Sequence, residues 1–292
     1  MRLEPRGIIP ALVTPFREDE SIDEAGLRAV VRHVLAGGVH GVFATGSQGE
    51  FYALTPDEKQ RVWEVVLEEV NGRVPVYAGT GGISTRECIE LTQRAAAVGV
   101  AAASLITPFF IVPTQEELYT HYATVAQAVD LPLLLYPNPN RTQVSLSTET
   151  VRRLAQIANI VGLKDSSGNL AQTADYIDQA PEGFSVLAGN DALIYAVLLM
   201  GGKGAIAATA NVVPELVVSI YEHLQQGNLA AAREAQRRLA PLRQAFTLST
   251  FPVVVKEALE IRGICSGRCR RPVRPMPAGA REKLRQILEA MD

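Results

Sequence analysis

The sequence predicts an α/β protein: a closed parallel (β/α)8 barrel (TIM barrel) with appended C-terminal helices. Three observations carry that expectation. Short apolar, β-branched runs alternate with longer amphipathic ones as far as about residue 225. The short runs are apolar on both faces, as parallel strands covered by helices are. The first of them leads into Thr14-Pro15-Phe16-Arg17, which is unlike the glycine-rich turn that opens a doubly wound dinucleotide-binding sheet.

The strand-like runs are, in order, Gly7–Pro15, Gly41–Gly46, Val74–Gly79, Ala101–Thr107, Leu131–Tyr136, Ile160–Lys164, Phe184–Ala188 and Gly204–Thr209. Between them the apolar residues recur with helical period, as in Asp23–Ala36, Asp57–Val70, Ser84–Val98 and Gln115–Val129. Several helix starts are explicit. Thr55-Pro56-Asp57-Glu58 supplies an N-cap, a proline for the first turn, and acids where the helix dipole favours negative charge. Ser84-Thr85-Arg86-Glu87 and Thr114-Gln115-Glu116-Glu117 each read as a capping box. After Gly227 the pattern is purely helical, over Leu229–Ala245, Val253–Ile261 and Ala278–Ala290. This divides the chain into a barrel over residues 1–225 and a helical extension over 226–292 packed on it. No internal repeat of 20–50 residues is visible.

Composition bounds the function. The 292 residues exceed the common domain length of ~150 and suit one large barrel with additions. A net charge of −3 and a pI near 5.9 argue against a partner made of nucleic acid or anionic lipid. The opening MRLEPRG has no apolar core and does not read as a signal peptide. Apolar stretches such as Ala192–Met200 fall far short of the ~20 residues of a membrane helix. Three cysteines, Cys88, Cys265 and Cys269, suit a reducing compartment, so the expected location is cytoplasmic.

In such barrels chemistry sits at the C-terminal ends of the strands, where this chain gathers glycine and polar residues. Of five lysines, Lys59, Lys256 and Lys283 fall in predicted helices, and Lys203 lies at the opposite mouth. Only Lys164 ends a buried strand. A buried ammonium is costly, so Lys164 either pairs with Asp165 or Asp191 or has a lowered pKa, which an imine-forming nucleophile requires. Tyr136 ends strand five, beside the lysine's strand, and either carries protons or caps the barrel core. The turn Gly46-Ser47-Gln48-Gly49-Glu50 could hold a carboxylate with its amides and the Ser47 hydroxyl, or could simply turn. Arg141 is a carboxylate clamp or a solvated loop arginine.

Other chemistries fit less well. None of the four histidines ends a strand or has metal-site spacing; His33 and His223 read as helix-surface residues and His40 lies at the far mouth. No metal site is therefore expected. Cys265 and Cys269 read as structural or exposed thiols. Arg268, Arg270, Arg271 and Arg274, set among prolines, read as solvent or subunit contacts. A phosphosugar barrel would hold phosphate after strands seven and eight. Those loops carry Asn190-Asp191 and Asn211 without a glycine cradle.

Together these residues resemble the dihydrodipicolinate synthase / N-acetylneuraminate lyase family, from Pro10-Ala11-Leu12-Val13-Thr14-Pro15-Phe16 to Asn211-Val212. The family turn appears as Gly46-Ser47-Gln48-Gly49-Glu50, and its strand-five tyrosine as Tyr136. Its Schiff-base lysine appears as Lys164 in Gly162-Leu163-Lys164-Asp165, and a later motif as Gly201-Gly202-Lys203-Gly204-Ala205-Ile206. The resemblance implies a class I aldolase in which Lys164 forms an imine with pyruvate or another 2-oxo acid and Tyr136 moves protons. It implies that the Ser47 and Gln48 amides hold the carboxylate, with Gly189 and the Ile206 carbonyl lining the pocket. It also implies that no metal or organic cofactor is needed, and a homotetramer built as a dimer of dimers. Within the family, Arg141 stands where the synthases bind the carboxylate of aspartate semialdehyde. Ser47 keeps a relay hydroxyl, but Gln48 replaces a threonine. Phe110 replaces the tyrosine that reaches a neighbouring subunit's site, and it cannot pass a proton. Arg141 thus favours synthase activity, whereas Phe110 favours cleavage or dehydration of a 2-keto-3-deoxy acid. A barrel that binds a 2-oxo acid without turnover is the non-enzymatic alternative.

Overall fold

The structure is a computed structural model that describes residues 3–291. Eight parallel strands carry the barrel: β1 Gly7–Pro10, β2 Val42–Ala44, β3 Val76–Gly79, β4 Ala102–Ile106, β5 Leu133–Tyr136, β6 Ile160–Asp165, β7 Ser185–Ala188 and β8 Gly204–Ala207. They pair in the order β1-β8-β7-β6-β5-β4-β3-β2. The remaining seam is closed by a parallel bridge between Ala11 and Phe43, where the Leu12 N–H donates to the Phe43 carbonyl at 2.8 Å. Helices follow the strands and cover the outside, so the strands are buried throughout.

Side chains from alternate strand positions fill the interior. Ile9, Ala11, Phe43, Tyr77, Ala102, Leu134, Leu187 and Ile206 form one apolar plug. At the β1–β8 seam the backbones approach so closely that a Cβ on Gly204 would lie 2.1 Å from the Gly7 carbonyl oxygen, which only glycine avoids. The outer cluster is continuous from the first helix, Glu24–Ala36, through Trp63, Leu118 and Tyr122 into Val253, Leu259, Leu284 and Leu288 of the C-terminal helices.

The sheet is shorter than the sequence suggested at several strand ends, two of them for identifiable reasons. β1 stops at Pro10 rather than Pro15, because the Val13 N–H turns to the side chain of Asn211 and Pro15 has no N–H. β8 stops at Ala207 rather than Thr209, because the Asp191 carboxylate takes the N–H groups of Ala208 and Thr209. Thr55 and Thr114 form complete capping boxes. Ser84 forms half of one: its hydroxyl accepts from the Glu87 N–H, while the Glu87 carboxylate turns to the N–H of Ile83.

Two further readings are corrected and one is extended. Arg270 is not a solvated side chain. Its guanidinium binds Glu58 at 2.5 Å, donates to the carbonyls of Glu20 and Ala53, and lies 4.5 Å from the Phe16 ring centroid. It pins the segment after Ile261 to the barrel. Lys256 does lie in a helix, Val253–Ile261, but it is wholly buried and paired with Glu50. His33 and His223 are half-buried rather than surface residues, and burial holds the His33 imidazole below its usual value.

Candidate active site

Lys164, the penultimate residue of β6, faces inward above the apolar plug, while Asp165 faces outward. Period-two alternation along β6 dictates this opposition. Neither carboxylate that could have neutralised the lysine does so. Asp165 accepts from the Ser167 N–H at 2.8 Å and the Thr173 hydroxyl at 2.5 Å. Asp191 accepts from the Thr209 N–H at 2.6 Å and its hydroxyl at 2.5 Å, as well as from Ala208. Among the described residues Lys164 has no ion-pair partner. Its Nζ lies 4.1 Å from the Tyr136 ring centroid and 5.1 Å from that of Phe43, with the side chain only 4% exposed.

Tyr136 ends β5 and is equally buried. Its hydroxyl lies 3.4 Å from the Ser47 hydroxyl and accepts from the Asn138 amide at 3.0 Å. Burial alone would raise this phenol. The Lys164 charge and hydrogen bonding from Ser47, Ser166 and Asn138 outweigh burial and hold it below the ordinary tyrosine value. A phenol tuned in this way, beside an unpaired lysine, can exchange protons with a group bound on the amine.

The turn after β2 presents Ser47 and Gln48 to the same cavity. Within it the N–H groups of Gly49, Glu50 and Phe51 are used by backbone carbonyls. Among the described residues, those of Ser47 and Gln48 donate to none, so two adjacent amides are available to an anion. The Gln48 side chain points elsewhere, to the Pro252 carbonyl at 3.4 Å. Gly189 opens the loop after β7, where a Cβ would meet the Ser166 hydroxyl at 2.1 Å, and Ile206 lines the floor.

These residues surround a cavity of about 310 Å³ at the C-terminal mouth. Arg141 lines it from the helical turn Pro139–Thr142, with its guanidinium 4.7 Å from the centroid of the Phe251 ring. Phe110 does not join the cavity within this chain. It is 94% exposed with φ of 73°, on a loop whose Ile111 and Val112 are also exposed.

Sequence reasoning missed one wall altogether. Arg243, Phe246, Phe251, Val254 and Val255, from the C-terminal helices and the loop between them, close the cavity over the barrel mouth. No local pattern marks them, since they reach the site only by tertiary packing. It also missed Asn138 and Ser166. Asn138 had a usable signal: two residues beyond Tyr136 in an extended segment, it shares the tyrosine's face.

The fold and the site define a class I lyase, a (β/α)8 barrel with an inward, unpaired lysine beside a tyrosine. The chain belongs to the dihydrodipicolinate synthetase family, whose match spans residues 4–291. It is 42% identical over 293 residues to the 4-hydroxy-tetrahydrodipicolinate synthase of Methanopyrus kandleri, covering 100% of this chain and 98% of that protein. The crystal structure of dihydrodipicolinate synthase from Aquifex aeolicus is similar with a TM-score of 0.95 and 35% identity, over 98% of this chain and 97% of that one. That of YagE, a prophage protein of the same family from E. coli K12 in complex with pyruvate, is similar at 0.94 and 32%, over 98% of each chain.

Proposed function

We propose that this enzyme condenses pyruvate with aspartate semialdehyde, as a 4-hydroxy-tetrahydrodipicolinate synthase. The observation that carries the reading is the burial of Lys164 against Tyr136 with both nearby carboxylates engaged elsewhere. The Lys164 amine adds to the C2 carbonyl of pyruvate, and loss of water leaves an iminium. The iminium withdraws electrons from C3, which loses a proton to form an enamine, and C3 then bonds to the aldehyde carbon. Tyr136 delivers and recovers the protons, with Ser47 as its hydroxyl partner. The free amides of Ser47 and Gln48 hold the pyruvate carboxylate, and Gly189 and Ile206 shape the pocket around it. Arg141, 4.7 Å from the Phe251 ring centroid, receives the carboxylate of the aldehyde.

One observation favours a second reading, an aldolase or dehydratase acting on a 2-keto-3-deoxy acid. Phe110 carries no proton, so a relay completed by a neighbouring subunit's tyrosine is missing. The exposed run of Phe110, Ile111 and Val112, with Tyr52 and Ile83 also exposed, supports self-association, for which we propose the homotetramer. No described helix is long and apolar enough to cross a membrane; we propose a cytoplasmic location. The cavity draws residues from both segments of the chain, which supports a catalytic barrel over 1–225 closed by an extension over 226–292.

The decisive experiment is mass spectrometry of the intact protein after incubation with pyruvate and borohydride. A reduced adduct is expected on the parent protein and not on Lys164→Ala. A folded parent protein without adduct would sink the pyruvate-imine reading.

A further inference from the structure

We propose that Asn138 is a positioning residue for proton transfer: its side-chain amide donates into the phenol oxygen of Tyr136 and so directs the tyrosine's own proton toward Ser47 and the pocket. The geometry is built from the segment Tyr136-Pro137-Asn138-Pro139. Residues two apart in extended chain share a face, so Asn138 follows Tyr136 onto the barrel mouth. The flanking prolines leave the segment little freedom, because each fixes its own φ and restricts the residue before it.

Hydrogen bonds lock what the prolines leave. The Tyr136 carbonyl accepts from the Thr107 N–H at 3.1 Å, and the Pro137 carbonyl accepts from the Ser166 N–H at 3.1 Å. The Asn138 carbonyl accepts from the N–H groups of Arg141 and Thr142 at 2.9 and 3.0 Å. With its backbone held at both sides, the buried Asn138 side chain reaches the Tyr136 oxygen at 3.0 Å. An amide NH2 can only donate, so it occupies one acceptor site of the phenol and cannot take its proton. The proton therefore points to one of the hydroxyls at the pocket, Ser47 at 3.4 Å or Ser166, whose own proton goes to the Gly189 carbonyl, or to a bound substrate. Once the proton leaves, the same amide bond becomes charge-assisted and favours the phenolate. A neutral side chain of this chain thus contributes to proton transfer at a site where Phe110 contributes none.

This inference rests on the imine reading for its catalytic consequence, but its first test does not. In protein labelled with [13C]tyrosine at the ring carbon bearing oxygen, Tyr136 is assigned by loss of its resonance in Tyr136→Phe and titrated without substrate. Its ionisation is expected about one pH unit higher in Asn138→Ala, equivalent to about a tenfold loss of phenolate at a fixed pH below both values. It is expected higher still in the near-isosteric Asn138→Asp, whose carboxylate opposes a second negative charge. An unchanged titration in folded Asn138→Ala, or a titration in Asn138→Asp at or below the parent value, would overturn the proposal.

The second test is exchange of the pyruvate C3 protons in D2O, followed by proton NMR across pH. If phenolate removes the C3 proton, the rising limb moves to higher pH in Asn138→Ala by the same amount. Borohydride trapping at Lys164 is expected to survive that substitution. A parent protein that fails to trap pyruvate removes the imine reading, while the tyrosine titration still decides the role of Asn138.

Discussion

Lys164 and Lys256 are both buried beside aromatic rings, yet the two regions that hold them differ in one respect. Lys256 lies beneath the C-terminal helices, 4.3 Å from the Phe16 ring centroid, with Nζ 2.5 Å from Glu50 and both side chains fully enclosed. The other Glu50 oxygen accepts from the Arg270 N–H. Lys164 lies at the barrel mouth, 4.1 Å from the Tyr136 centroid, open to a cavity, with Asp165 and Asp191 engaged by hydroxyl and backbone donors. A lysine paired with a carboxylate at contact distance serves the fold. A lysine left without a carboxylate beside a cavity is available for chemistry. Burial does not distinguish the two residues; the destination of the nearest carboxylate does.

Substitutions can break this comparison at either lysine. The largest effect is expected at the mouth. Lys164→Met should reduce turnover by on the order of a thousandfold or more, while leaving stability within about 1 kcal/mol. Urea unfolding run beside the activity assay checks both halves, and a large loss of stability would mean that Lys164 also serves the fold.

Beneath the C-terminal helices the pattern should reverse. Lys256→Met strands the Glu50 carboxylate without its partner and should cost about 3–5 kcal/mol in urea unfolding. Adding Glu50→Gln removes the stranded charge and keeps an acceptor for the Arg270 N–H, so the double variant should recover most of that loss. Failure to recover would show that packing of the lysine stem, rather than charge, holds this region.

The smallest effect is sought where Arg270 ties the C-terminal segment to the barrel. Hydrogen bonding from Arg270 is the leading cause that holds the Glu58 carboxyl near 2, against an ordinary 4.5. A carboxyl depressed by folding adds stability that is complete above its unfolded value and is lost as pH falls toward its folded value. Arg270→Ala should therefore lower thermal stability at neutral pH and flatten its fall between about pH 4.5 and 2. An acid limb of unchanged steepness would assign the depression of Glu58 to the Thr55 cap, which also contributes.

Much of this molecule was legible before folding. All eight strands, the caps at Thr55 and Thr114, and the positions of Lys164, Tyr136 and Ser47 at strand ends follow from patterns a few residues long. Strand ends were less legible. Val13 and Thr209 left the sheet for Asn211 and Asp191, partners 198 and 18 residues away in the chain. The Arg270 pin was invisible for the same reason, since its partner Glu58 lies 212 residues earlier.

By itself the sequence determined the alternation of strands and helices and the places of Lys164 and Tyr136 near the ends of consecutive strands, because hydrophobic period is a local property of the chain. Only the tertiary structure decided which buried lysine is paired, which amides are free, and that Phe251, Val254 and Val255 wall the cavity. Those outcomes depend on which distant donors and acceptors satisfy one another when the barrel closes and the C-terminal helices pack over its mouth.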